Sequence, residues 1–269
     1  MRLDDDLILE GENLDLLPAL PDGAFDLIYI DPPFNTGKVR ALRGTQFPDE
    51  YEDYVGFLLP RLEHARRLLA PHGTLYVHLD PREAHYVKVA LDGLFGRACF
   101  LNEIVWAYDY GARTKRRWPA KHDTILVYVK DPAQYHFDAE AVDREPYMAP
   151  TLQRSAERAA RGKLPTDTWW HTIVTTTGRE RTGYPTQKPE GVVRRIVQAS
   201  SRPGGWCLDF FAGSGTLGAV CRKLGRRYVL IDSSPDAVAV MRARLPREEE
   251  GGRAAEPPGD VAIGGQEVS

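Results

Sequence analysis

The sequence predicts an α/β protein built on a doubly wound, mostly parallel sheet, with a small insertion beside it. Three observations carry that prediction. The runs 25–30, 74–79, 124–129, 206–211 and 228–232 are largely apolar, as expected of strands covered on both faces. Helical patterns lie between several of them, the alternation that produces parallel sheets. Gly213-Ser214-Gly215 follows one run directly and leads into a helix, where such sheets bring backbone close to a ligand.

In chain order, Leu7-Ile8-Leu9 reads as a short strand and 25–30 as the first long one. Residues 57–70 read as a helix that stops before Pro71-His72-Gly73, with Pro60 marking a start or a kink. Asp80 caps the next helix and Pro81 sits in its first turn. Val87, Leu91, Leu94 and Phe95 form its apolar face, and Gly96 ends it. From 131 to 183 polarity is mixed and prolines and arginines are frequent. Arg154, Arg158, Arg161 and Lys163 stand at near-helical spacing ahead of Trp169-Trp170. This stretch is expected beside the sheet rather than as core strands. Its tryptophans suit either a DNA contact or the packing of a small insertion. Pro189 opens a helix through Val192, Val193, Ile196 and Val197, and another runs from Thr216 to Leu224. The divisions are therefore 1–130, an insertion at 131–183, a second part at 184–246 and a tail at 247–269.

A length of 269 residues suits one large domain with an insertion, and a hydrophobic share of 42% allows a sizeable core. No apolar stretch reaches membrane-spanning length, and the acidic start MRLDDDLILE lacks a signal-peptide pattern. Cys99, Cys207 and Cys221 are odd in number and lack CxxC spacing. That argues against a zinc site or a disulfide framework and suits a reducing cytoplasm. His64, His72, His78 and His85 do not stand at ligand spacing, so they are expected to be surface or structural residues, with no metal.

The net charge of −3 conceals a division. The tail holds two arginines against six acids, a net of −4, so the body stands at +1. Rich in Gly and Pro and without apolar period, the tail is expected to be disordered. Residues 111–122, GARTKRRWPAKH, carry Arg113, Lys115, Arg116, Arg117 and Lys121 with no acid, interleaved with Trp118. Such a stretch suits a phosphate backbone and a groove wall; it also suits a solvated loop.

Gly213 to Gly218 reads GxGxxG, and Asp232 ends the next strand 17 residues after Gly215. An acid there can accept hydrogen bonds from ribose hydroxyls. The pattern alone suggests a nicotinamide or flavin enzyme. Asp209, just before the turn, favours another ligand. It would repel a pyrophosphate but attract the ammonium group of a methionine moiety.

Asp31-Pro32-Pro33-Phe34 ends the run 25–30. An exocyclic base amine is a poor nucleophile, because its lone pair is delocalised into the ring. Acceptors at its two protons draw it toward tetrahedral geometry. Asp31 offers a carboxylate, and the Pro32 carbonyl is a second acceptor held by two successive prolines. Phe34 offers a flat face to a base that has left its stack, or to a sulfonium. A plain strand-terminating turn is the competing reading.

Together these segments resemble the S-adenosylmethionine-dependent DNA amino-methyltransferases. DPPF resembles their D/N/S-PP-Y/F motif, Asp209 to Thr216 (DFFAGSGT) their cofactor motif, and Tyr184-Pro185-Thr186-Gln187-Lys188-Pro189 their HPTQKP segment. Asn102 to Trp106, Lys121 to Asp123 and Tyr128 to Lys130 fit the family's intervening segments. The likeness spans about 7–245, and the catalytic motif precedes the cofactor motif, as in the permuted class called beta. It implies a Rossmann-like methyltransferase fold in which the C-terminal part supplies the first strands and Leu7–Leu9 completes the adjacent edge. It also implies a target-recognition role for 131–183.

For the site, the resemblance implies a catalytic group at Asp31, Pro32, Pro33 and Phe34. It implies a cofactor group at Thr186, Gln187, Lys188, Asp209, Phe210, Phe211, Gly213, Ser214, Gly215, Thr216 and Asp232. Asn13 stands near enough in sequence to the first strand to approach the cofactor adenine. The implied cofactor is S-adenosylmethionine, and the implied partner is double-stranded DNA. The resemblance leaves room for a homodimer and a companion restriction endonuclease. Asp31, where cytosine-N4 members usually have serine, favours adenine N6. Tyr184 departs from the usual histidine. The alternatives are cytosine-N4 methylation, methylation of RNA or a protein amide, a nicotinamide oxidoreductase, and a non-catalytic DNA-binding protein.

Overall fold

The computed structural model describes residues 1–42, 45–111 and 113–246. The expected disorder of 247–269 falls outside them. Along the chain run β1 (Leu7–Glu10), α1 (Asn13–Leu16), β2 (Phe25–Ile30), β3 (Lys38–Leu42), β4 (Thr45–Asp49), α2 (Tyr54–Leu68), β5 (Leu69–Leu79) and α3 (Pro81–Phe95). There follow β6 (Phe100–Ala107), β7 (His122–Val129), α4 (Ala156–Arg161), β8 (Thr168–Trp170), α5 (Glu190–Ser200), β9 (Trp206–Asp209), α6 (Thr216–Leu224), β10 (Arg227–Asp232) and α7 (Pro235–Arg244).

Eight of the described strands form one sheet, in the order β1-β10-β9-β2-β5-β7-β6-β8, and β3 pairs with β4 as a separate hairpin. Within the large sheet β7 runs against β5 and β6, and the other pairings are parallel. The N-terminal strand lies at an edge beside β10, with Leu7 opposite Val229 and Leu9 opposite Ile231.

The N-terminal and C-terminal parts of the sheet meet at β2 and β9, where Leu27 pairs with Cys207 and Ile28 with Leu208. From β9 the sheet is built toward β10 and β1; from β2 it is built toward β5. That reversal opens a crevice beyond the carboxyl ends of the two strands. Asp31 follows one strand and Asp209 ends the other.

Alternation along the strands feeds two core layers. Ile28, Ile30, Leu75, Val77, Leu208 and Val229 pack on one face with Leu58, Leu62, Val87 and Leu91 of α2 and α3. Leu27, Tyr29, Tyr76, Cys207 and Leu230 pack on the other with Val193, Ile196, Leu217 and Met241 of α5, α6 and α7. All three cysteines are buried and free. Among the described residues, no helix is long and apolar enough to cross a membrane.

Several expectations need correction. The helix expected at 57–70 starts at Tyr54, because Asp53 caps it by accepting from Gly56 N at 2.8 Å. Pro60 therefore lies inside α2; the apolar face of Leu58, Leu62, Ala65 and Leu68 outweighs the hydrogen bond it cannot donate. The run 206–211 stops being strand at Asp209, where the turn begins. The insertion is not wholly beside the sheet, since β8 adds its eighth strand along β6. Strand alternation then sends Trp169 inward, at 7% exposure, and Trp170 outward, at 72%. Of the basic residues at near-helical spacing, only Arg158 and Arg161 lie in α4.

Candidate active site

A cleft of about 390 Å³ opens at the carboxyl ends of β2, β9 and β10. Asp31 to Phe34 line one wall and Asp209 to Ser214 another, with Thr216 and Asp232 beside it. Tyr184, Thr186 and Lys188 close a third side. Segments remote in sequence thus share one cavity.

The DPPF wall is fixed from several directions. Pro32 is buried. Tyr54, at the start of α2, donates its hydroxyl to the Pro33 carbonyl at 2.7 Å. Asn35 takes a left-handed φ of 53° and brings the chain back toward the hairpin. Asn35 N donates to Asp49 Oδ1 at 2.7 Å, and Asn35 Oδ1 accepts from Tyr51 N at 2.7 Å. A non-glycine residue in that conformation persists only where neighbours over-determine it. Asp31 itself is paired: Lys188 Nζ stands 2.6 Å from each carboxylate oxygen and 4.4 Å from the centre of the Phe34 ring.

Below that wall runs a polar line that sequence reasoning did not find. Tyr29 meets His78 Nδ1 at 2.8 Å, His78 Nε2 meets Asp123 Oδ2 at 3.0 Å, and Tyr108 donates to Asp123 Oδ1 at 2.9 Å. The line crosses β2, β5 and β7 and reaches the end of β6. His78 is fully buried, so among the four histidines weighed it is structural and not on the surface. Its ring lies 5.8 Å from that of Phe34. Burial acts to raise the Asp123 carboxyl, but its bond and charge interaction with His78 bring it below the usual carboxylate range. Burial holds the Tyr29 hydroxyl well above its ordinary value.

On the cofactor side, Gly213 and Gly215 have φ of 49° and 70°, left-handed values that a side chain disfavours. A Cβ on Gly213 would come within 3.2 Å of the Tyr184 ring, and one on Gly215 within 2.8 Å of Met241. Asp232 accepts from Gly213 N at 2.8 Å and from Ser234 N at 2.9 Å, so it pins the turn as well as facing the cleft. Asp209 accepts from Phe211 N at 2.9 Å. Burial pushes its carboxyl well above the usual range; the Phe211 N–H opposes this, and the charges of Asp31 and Asp232 add to it.

Arg61 and Glu12 also line the cleft and were not singled out from the sequence. Arg61 is buried, donates to Asn13 Oδ1 at 2.7 Å and to Glu12 Oε1 at 2.5 Å, and lies over the Phe57 ring at 4.1 Å. Asn13 in turn donates to the Phe210 carbonyl at 3.0 Å. The partners of Arg61 lie far away in sequence, so no local pattern marks it, whereas Asn13, expected near the cofactor from its place after the first strand, lines the cleft. Two expected cofactor residues are not among those lining the cleft: Gly215, which caps α6, and Gln187. Gln187 Oε1 accepts from Thr182 N and Oγ1 at 2.8 Å, and its amide donates to the Glu180 carbonyl, which folds the 180–188 loop on itself.

Arg113, Lys115, Arg116 and Arg117 are exposed, in a loop between β6 and β7 that leaves the same sheet edge as Asp31. Trp118 in that loop is 93% exposed. Lys121 is partly buried, 3.4 Å from Asp109.

Comparison with known proteins agrees with this arrangement. The profile of a family described as DNA methylase matches residues 25–242. The chain is 32% identical over 235 residues to the type II methyltransferase M.HpaI of Haemophilus parainfluenzae, covering 87% of this chain and 72% of the relative. It is 29% identical over 245 residues to the DNA adenine methyltransferase YhdJ of Escherichia coli (strain K12), covering 88% and 82%. Two solved structures share the fold. The M1.HpyAVI–SAM complex superposes with a TM-score of 0.63 at 21% identity, over 90% of this chain and 99% of that one. The cytosine-N4-specific PvuII DNA methyltransferase superposes with a TM-score of 0.67 at 16% identity, over 91% of each chain.

Proposed function

We propose that this chain, which belongs to the DNA methylase family, moves the methyl group of S-adenosylmethionine to the exocyclic N6 of adenine in DNA. One observation carries the reading: the DPPF wall and the glycine turn open onto a single cleft.

The donor set fits the cofactor. Asp209, beside the turn, suits an ammonium rather than a pyrophosphate, and Asp232 at the end of β10 suits ribose hydroxyls. The DNA methylase family match over residues 25–242 weighs against the nicotinamide alternative. We assign Asp209, Phe210, Phe211, Gly213, Ser214, Thr216 and Asp232 to the cofactor, with Thr186 near its methionine end and Lys188 between that end and Asp31, its side chain turned to Asp31. Gly215 and Gln187 act through the shape of their loops. When bound, the cofactor supplies a methyl carbon made electrophilic by its sulfonium.

The rest of the chemistry belongs to the chain. The Asp31 carboxylate and the Pro32 carbonyl accept from the two amine protons and free the nitrogen lone pair; once methylated, the nitrogen releases one of those protons to solvent, which leaves the neutral methylamine. Phe34 stacks on the base once it has left the helix. No protein nucleophile is required, and none of the three cysteines follows a proline, as attack at cytosine C6 would suggest. DNA lies along Arg113, Lys115, Arg116, Arg117 and Lys121, and 131–183 contributes target recognition. Asp31 supports adenine over cytosine, as does the likeness to YhdJ, a DNA adenine methyltransferase. Because M.HpaI is named a type II methyltransferase, a companion restriction endonuclease is the protein partner to test for, beside a homodimer.

The test is transfer of labelled methyl groups to unmethylated DNA, followed by digestion to nucleosides. N6-methyladenine is expected. N4-methylcytosine would move the target base, and label confined to RNA or protein would overturn the reading.

Three further results are expected. Tyr54→Phe leaves the Pro33 carbonyl without its donor, at a cost of about 1 kcal/mol. Turnover should fall roughly fivefold with cofactor affinity unchanged, as kinetics and calorimetry would show. Replacing Arg116 and Arg117 by Gln should weaken DNA binding and lower its salt slope by about 2; an unchanged slope would remove this loop from the interface. The third concerns pH. A bound ammonium favours ionised Asp209, whose carboxyl lies well above the usual range. Cofactor affinity should therefore rise as pH passes upward through the Asp209 value, with protons released on binding. Calorimetry in buffers of different ionisation heats would detect them.

A further inference from the structure

Lys188 does something that neither wall of the cleft does alone. Its backbone carbonyl accepts from Thr216 Oγ1 at 3.2 Å, which ties it to the first residue of α6, just after the glycine turn. Its side chain reaches the other wall, with Nζ 2.6 Å from both oxygens of Asp31, a residue 157 positions away. The same ammonium stands 4.4 Å from the centre of the Phe34 ring. Lys188 and Asp31 are largely withdrawn from water, at 12% and 16% side-chain exposure. Pro189 follows and caps α5, and Gln187 before it is tied to Thr182 and Glu180, so the main chain on both sides of Lys188 is held.

We infer that Lys188 is a positioning residue, a strut that sets Asp31 and Phe34 relative to the cofactor turn. This inference rests on the proposed function. An ammonium placed equally between two carboxylate oxygens fixes the plane of the Asp31 carboxyl, and its contact with Phe34 fixes the stacking face. A carboxylate has about four lone-pair sites, so one ammonium leaves acceptor capacity for an amine proton. A residue that only held the cofactor would need neither contact. The charge also works against a simple electrostatic role. Methyl transfer carries positive charge onto the amine nitrogen, and a nearby ammonium opposes that. The benefit of Lys188 is thus geometric, the kind of pre-orientation that a small misplacement can remove.

The experiment compares Lys188→Met and Lys188→Arg with the unaltered protein, using labelled S-adenosylmethionine and unmethylated genomic DNA. Single-turnover transfer at saturating cofactor should fall about 100-fold in Lys188→Met, while cofactor affinity by calorimetry stays within about threefold. Lys188→Arg should recover at least about tenfold of the loss, because it restores a cation between the oxygens. In an Asp31→Asn background, the cost of Lys188→Met should shrink to about threefold or less, the signature of action through Asp31. If Lys188→Met does not fold, the Lys188→Arg comparison in both backgrounds decides. Cofactor affinity lost tenfold or more with transfer at saturation unchanged would overturn the inference and leave methyl transfer standing. Equal costs of Lys188→Met in the two backgrounds would also overturn it. No label in DNA from the unaltered protein would overturn the proposed function and this inference together.

Discussion

Asp31→Ala is expected to reduce methyl incorporation by about 10³-fold while changing cofactor affinity less than about threefold. The first figure is the scale on which removal of one oriented hydrogen-bonding group at a reacting centre acts. Asp31 lies on the target wall, away from the glycine turn, and its oxygens meet Lys188 rather than any residue of that turn. Alanine also leaves the Lys188 ammonium without its partner, so Asp31→Asn is the natural companion variant. Asparagine keeps one acceptor oxygen, and its loss should be smaller. Rates at saturating cofactor, with affinities from calorimetry, separate the two effects. Collapse of cofactor binding in Asp31→Ala would mean that the walls do not divide the work as proposed.

Asp209→Asn should act in two opposite directions. Asp209 is buried, and burial pushes its carboxyl well above the usual range. The folded chain therefore holds that proton more tightly than the unfolded chain. Its contribution to stability is fully present below the unfolded value of about 4 and is lost as pH rises through the higher folded value. At pH 8 asparagine removes that cost while keeping an oxygen for Phe211 N. Melting should rise by about 2–4 °C, as a gain of about 1 kcal/mol gives in a chain of this size. Cofactor affinity should fall about tenfold or more, and the rise of affinity with pH should disappear. A melting temperature that falls together with affinity would show that Asp209 is structural.

Much of this was legible in the sequence, for definable reasons. Strands covered on both faces leave apolar runs, and these located β2, β5, β7, β9 and β10. Asp80-Pro81 and Gly96 mark the ends of α3 by local chemistry. DPPF and the glycine turn announce themselves because turn geometry restricts residue type. What stayed hidden depends on long-range pairing. The strand β8 has three residues and exists because β6 offers an edge. His78 looks like any histidine until β2 and β7 bring Tyr29 and Asp123 to its two nitrogens. Arg61 reads as one more helical arginine until Asn13 and Glu12 meet it. Gln187 sits inside a recognisable motif, yet its side chain is consumed by its own loop. Motif membership indicates the neighbourhood; only packing decides which atoms face the cavity.

The central claim is that methyl donor and target base meet between the glycine turn and Asp31. The most direct measurement is a crystal structure of the chain with S-adenosylmethionine bound. The account predicts the adenosine against Gly213 to Asp232, the amino end at Asp209, and the methyl carbon turned toward Asp31 and Phe34. A cofactor seated elsewhere on the chain, or one whose methyl carbon points away from that wall, would contradict it.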